Sequence, residues 1–342
     1  MLAAFSAPWP KGTNESEITV FHTVANIRFF ERHKVFLPPS LKVNVDGTKN
    51  VVDACLSIGA SILLYTSSSS IGVRNQRLLL WPWESSSKYP VHLLTDDENS
   101  FPKRHEETAS NYTYAKLLAD RLVRDADKRP TTTGVPLRTG CLRIGNAVFG
   151  PGGELFDHTF RNQGSIVFIH NLFSSLCYIE NAILAHLCYE QRLVELARGS
   201  NNPDIGGQGF MITDPNEAPL GRDLYLALGR LSGNVLKFQY ISLTLLLLLS
   251  HLLEWYSLFR AHFGLLPSLT GDIINLQPSI FDAGYNILVD DSRARMTVDK
   301  GGLGYKAPYT TLQGVCKTWV EYRDKGTLTS LPKGAGFGSS KI

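Results

Sequence analysis

Short, almost wholly apolar runs alternate with helical patterns in the first half of this chain. That alternation confines it to a layered α/β fold built on buried parallel strands. Residues 61–66 form such a run and deliver four serines, Ser67 to Ser70, at its carboxyl end. Residues 18–23 and 135–144 read the same way. Val43 to Ser57 reads as a helix with Val51, Val52, Cys55 and Leu56 on one face and Gly59 as its stop. A polar loop is expected over 72–108, with Trp81-Pro82-Trp83 and Ser85-Ser86-Ser87 inside it. Thr108 or Ser110 then caps a helix through Val123, and Phe149 to Gly152 turns the chain into its second half.

Tyr112 lies four residues before Lys116, so the two share a helix face one turn apart. An ammonium there favours the phenolate and lowers the phenol pKa. A hydroxyl from a nearby strand end completes a proton-transfer site suited to alcohol or ketone chemistry. In parallel α/β sheets ligands bind at the carboxyl ends of strands, where the serine run stands. YxxxK alone is weak, and its bland reading is a surface tyrosine and a solvated lysine. Tyr114, two residues from Lys116, falls on another face. Ser68 is the preferred hydroxyl and Ser67 the alternative, since a one-residue slip exchanges them.

Nine segments in order make a more specific pattern: ITVFHTVA (18–25), VNVDGTKNVVDAC (43–55), ILLYTSSSS (62–70), DDENSFP (96–102), YTYAKLLAD (112–120), LRIGNAVFGPG (142–152), CYIENAILAH (177–186), GQGFMITD (207–214) and LGYKAPYTTLQG (303–314). The series resembles the extended short-chain dehydrogenase/reductase family over about residues 18 to 322, in its 3β-hydroxysteroid dehydrogenase and sterol-4α-carboxylate 3-dehydrogenase branch. The resemblance implies a Rossmann-like doubly wound parallel sheet, incomplete at its N-terminal side, with a smaller C-terminal substrate lobe. The lobes would be 1–150 and 151–342. It implies NAD or NADP as cofactor, Tyr112 as acid/base and Ser68 holding the substrate hydroxyl. Lys116 would lower the tyrosine pKa and bond the nicotinamide ribose. Thr23 and Ala25 lie in the stretch whose backbone runs beside the cofactor in that family; strand-end packing explains them equally well. Asn44 is expected to bridge helix and loop by its amide. The segment 143–150 departs from the family, with Ile144 where a proline commonly stands.

The family's GxxGxxG turn, which holds the pyrophosphate at a helix N-terminus, is not found in this sequence. Two explanations stay open: a chain lacking roughly its first seventy residues, or a protein that has given up tight dinucleotide binding. Either predicts an exposed sheet edge near residues 18–23 and feeble NAD(H) binding. A net charge of +3 and no long basic stretch argue against nucleic-acid binding. Five scattered cysteines without CxxC read as buried or free thiols in a reducing compartment, and nine histidines show no metal-ligand spacing. The N-terminal residues do not read as a signal peptide. The N-x-S/T triplets at Asn14 and Asn111 are read as chance matches.

Residues 238–253 carry no charge and include Leu245 through Leu249, followed by Trp255, Tyr256, Phe259 and Arg260. The uncharged stretch falls short of the roughly twenty residues a membrane span needs. A buried core helix, a helix embedded in or lying on a membrane, and a span all remain open. In the resembled branch such a segment accompanies membrane attachment. It implies a membrane-associated enzyme, at the endoplasmic reticulum with a cytosol-facing site, taking a sterol, steroid or terpenoid and forming a homodimer. Two further readings are a non-catalytic binding protein and a sugar-nucleotide epimerase on the same fold.

Overall fold

The computed structural model describes residues 2–5, 7, 18–75, 91–168, 170–282 and 286–325. Its centre is a parallel sheet of four strands, β1 (Thr19–His22), β2 (Ile62–Ser68), β3 (Arg138–Ile144) and β4 (Gln208–Ile212), in that spatial order. Ile62 sits opposite Thr19 on one side and Arg138 on the other, and Gly140 opposite Gln208. Consecutive residues of a strand point to opposite faces. Leu63 and Tyr65 therefore pack with Val51, Val52, Cys55, Ala119 and Val123, while Ile62 and Leu64 pack with Ala182, Ala185, Tyr189 and Leu193. Those partners belong to helices α1 (Gly47–Ile58) and α2 (Asn111–Arg124) on one face and α3 (Ile179–Ala197) on the other. Helices on both faces make the sheet doubly wound, as expected. Strand β1 lies at one edge of it among the described residues.

Local signals set the boundaries. Helix α1 continues from 37 through a π turn at Lys42–Asp46 and stops at Gly59, whose φ of +77° is costly for any side chain. The Ser110 hydroxyl accepts the Thr113 N–H at 3.1 Å and caps α2. Asn44 bridges as expected, accepting from Asn26 N–H at 2.7 Å and donating to its carbonyl at 3.0 Å.

The later part of the chain does not stand apart from the sheet, because α3 covers one of its faces and β4 extends it. A second, aromatic cluster joins Phe149, Phe156, Phe160, Tyr178, Trp319 and Tyr322 with Leu228 of α4 (Gly221–Leu231). The region expected as loop 72–108 holds a strand, Val91–Leu94, paired in parallel with Asn286–Val289. The tryptophan and serine triplets within it lie outside the described residues, as does Asn14.

The uncharged run divides. Its start joins Lys237–Tyr240, a strand paired with Gly164–Val167, and the rest is helix α5 (Leu243–Phe263). Only Leu247, Ser250 and Glu254 of α5 are buried, whereas Leu245, Leu248, Leu252, Trp255, Phe259 and Phe263 are exposed. That corrects the core-helix reading. No described helix is long and apolar enough to cross a membrane. Helix α6 (Thr311–Asp324), opened by a capping box from Thr310 and Gln313, is the last described element.

Candidate active site

Only the first two serines follow the strand period, because β2 ends at Ser68 and Ser69–Gly72 form a 3-10 turn. Ser67 is buried on one face, Thr66 and Ser68 are part-exposed on the other, and in the turn Ser69 is buried and Ser70 part-exposed. Ser67 lies beside the buried carboxylate of Asp120 and helps hold its pKa down. Ser68 ends β2, where its hydroxyl meets that of Ser70 at 2.8 Å and accepts the Ser70 N–H at 3.2 Å. Tyr112 lies near enough to Ser68 for that hydroxyl to draw the phenol's pKa down against burial. Tyr112 of α2 thus approaches Ser68 at the strand end, while Ser67, one residue earlier, faces the buried Asp120 of the same helix. Tyr114 points elsewhere, edge-on to the His105 ring at 5.2 Å.

Lys116 lies one turn further along α2 and is 1% exposed. Its Nζ donates to the Thr66 carbonyl at 2.6 Å and sits 4.0 Å from the centroid of the Tyr65 ring. Here the structure departs from the expected electrostatics. Burial pushes the Tyr112 phenol up to about 12, with only the Ser68 hydroxyl working the other way. Burial likewise pulls Lys116 down to about 7, partly opposed by Asp120. The expected lowering of the phenol by Lys116 is not found. Desolvation acts on both groups, and the ammonium spends its hydrogen bond on Thr66 rather than on the phenol.

Several residues around the site were not read from the sequence. Asp120, on the Lys116 face of α2, pairs with the wholly buried Arg143 of β3, Nε to Oδ2 at 3.2 Å and a terminal nitrogen to Oδ1 at 2.9 Å. A Cβ on Gly209 would lie 2.4 Å from the Arg143 guanidinium carbon, so β4 needs glycine there. Asp120 was accessible to reasoning, because it is four residues from Lys116. His186 of α3 was not. Its Nδ1–H donates to Ala182 O at 2.7 Å, which leaves Nε2 to accept the Thr66 hydroxyl at 2.8 Å. His22 at the end of β1 is held neutral, its pKa lowered to about 4 by burial and by Lys116.

Thr23 is exposed and Ala25 half-buried just past the carboxyl end of β1. Asn111 is wholly buried, which leaves its amide no room for a glycan, and His105, expected in a solvated loop, is buried against it at 2.7 Å. No group of acidic, histidine or cysteine side chains among the described residues is placed to hold a metal ion. The five cysteines are free thiols. For a nicotinamide dinucleotide, the fit rests on the buried Lys116 ammonium. It gives one of its three donors to a carbonyl and has others for ribose hydroxyls, beside the Ser68 and Tyr112 hydroxyls.

Comparison with known proteins agrees with this fold. The model of the 3-beta hydroxysteroid dehydrogenase/isomerase family matches residues 11–237. A 3beta-hydroxysteroid-dehydrogenase/decarboxylase of Arabidopsis thaliana is 30% identical over 60% of this chain and 41% of its own length. A decarboxylating sterol-4-alpha-carboxylate 3-dehydrogenase of Schizosaccharomyces pombe is 28% identical over 57% of this chain and 49% of its own. The chain therefore spans less than half the length of these curated relatives. Among solved structures, MoeE5 in complex with UDP-glucose and NAD superposes with a TM-score of 0.58 at 17% identity, over 90% of this chain and 80% of that one. Identity that low speaks for the fold alone.

Proposed function

The chain belongs to the 3-beta hydroxysteroid dehydrogenase/isomerase family, and on that premise we propose that it carries the proton-transfer site of an NAD- or NADP-dependent dehydrogenase acting on the 3β-hydroxyl of a sterol, steroid or related terpenoid. Buried Lys116, bonded to the strand-end carbonyl of Thr66 and one helical turn from Tyr112 near Ser68, carries this reading. The names of the plant and fission-yeast relatives favour a sterol over the sugar nucleotides bound by structural neighbours.

Ser68 holds the alcohol oxygen and Tyr112 takes its proton. A phenol held near 12 is protonated at neutral pH, so it acts as a base only where a nearby cation supports the phenolate. Lys116 does not lower the phenol in this structure; balanced near 7, it can give its remaining donors to ribose hydroxyls. The nicotinamide, when bound, supplies that cation in its positively charged oxidised form and the acceptor for the carbinol hydride. A substrate bearing a 4-carboxyl group leaves the site as a β-keto acid, which loses carbon dioxide without further help from the chain. Thr23 and Ala25 line the cofactor side past β1. The exposed face of α5 suits a lipid surface, from which such a substrate partitions.

The test is NADH fluorescence titration with 3β-hydroxysterol turnover. The protein should quench or enhance NADH fluorescence on binding and oxidise a 3β-hydroxysterol with Tyr112 in place. Full turnover in Tyr112→Phe would overturn the assignment. NADH binding without turnover, with Tyr112 intact, would favour a binding protein that does no chemistry.

A further inference from the structure

The exposed helix α5 is joined to the start of α2 by a short path through one loop. Arg32, in the loop after β1, meets Glu254 of α5 through two parallel hydrogen bonds, Nε to Oε1 at 2.8 Å and a terminal nitrogen to Oε2 at 2.8 Å. Glu254 is 5% exposed, on the narrow face that α5 turns inward. The residues flanking Arg32 are tied to Asn111. The Asn111 N–H donates to the Glu31 carbonyl at 2.7 Å, and its side-chain amide donates to the His33 carbonyl at 3.0 Å. Asn111 directly precedes Tyr112.

A buried carboxylate paired with a part-buried guanidinium still pays a desolvation cost that a well-packed apolar pair would avoid. Stability alone is therefore a weak reason for an ion pair here. What a bidentate pair supplies is a fixed position and orientation. We propose that the Arg32–Glu254 ion pair is a positioning device for Tyr112: it fixes the 31–33 loop, which sets the start of α2, so that the seating of the apolar helix reaches the phenol. The proposal rests on the reading of Tyr112 as the acid/base and extends it to the helix that faces the substrate's lipid source.

Two equilibrium measurements test it without turnover. Hydrogen exchange at the Asn111 amide reports the bond to Glu31 directly. In Arg32→Gln and in Glu254→Gln it should quicken about tenfold relative to the β3 amides, and the charge swap Arg32→Glu with Glu254→Arg should return it to within about threefold of wild type. The Tyr112 titration, taken as the ultraviolet difference between each protein and its Tyr112→Phe counterpart, should fall from about 12 toward 10 in the single variants, because a loosened loop rehydrates the phenol. Unchanged exchange and titration in the single variants would overturn the proposal. So would equal quickening at β2 and β3, which would make the pair a support of the whole fold. A Tyr112→Phe protein that keeps its turnover would refute the acid/base reading and leave both of these measurements standing.

Discussion

Replacing Lys116 by methionine separates what this residue costs the fold from what it does at the site. The ammonium is buried, and its pKa falls from 10.5 to about 7 on folding. Between those values the unfolded chain binds a proton that the folded chain has released. Stability is therefore lost as pH falls through that window, and the loss is complete below about 7. At about 1.36 kcal/mol per pH unit the gap is on the order of 4–5 kcal/mol. Methionine matches the length and removes that penalty, but it also removes the hydrogen bond to the Thr66 carbonyl, worth about 1–2 kcal/mol. Lys116→Met should thus be more stable than wild type by about 2–3 kcal/mol at pH 7, with the advantage near zero by pH 9.5. Urea unfolding at the two pH values measures this, and sterol turnover should be abolished in the variant. A variant less stable at pH 7, or equally favoured at both pH values, would refute the assignment of the cost to desolvation.

Tyr112→Phe and Ser68→Ala should each lower turnover about 10²–10⁴-fold, with urea midpoints little changed, since each removes a proton-handling group rather than core volume. His22 is held neutral, with its pKa lowered from 6.5 to about 4. The unfolded chain takes up a proton first as pH falls through that window, so wild type should lose about 3 kcal/mol there. His22→Gln, still able to donate to the Thr48 hydroxyl, should flatten that slope in denaturation between pH 4 and 7. Leu248→Asp with Leu252→Asp, on the exposed face of α5, should leave the unfolding midpoint nearly unchanged but abolish co-sedimentation with phosphatidylcholine vesicles. Undiminished co-sedimentation would remove α5 from the lipid contact.

Much of this architecture is local and therefore legible. A run such as 61–66, apolar at every other position on both faces, can satisfy its side chains only between two helical layers, and α1 and α3 supply them. Ser110 and Gly59 punctuate their helices by chemistry within four residues. The four-residue spacing of Tyr112 and Lys116 carries its own geometry, and the strand period separates Ser67 from Ser68 once the register is known. That register was not legible, because it depends on which way Tyr65 faces. The electrostatics also escaped: spacing put an ammonium near a phenol, but the depth of burial reversed the sign of the phenol's shift. His186 and Glu254 come from helices more than a hundred residues from the groups they bond. No periodicity encodes such pairings, because they arise only when the packed sheet closes the distance between segments. The sequence by itself determined the elements and the chemistry each could offer; tertiary structure decided burial, partners and charge state, since these depend on water excluded by residues remote in the chain.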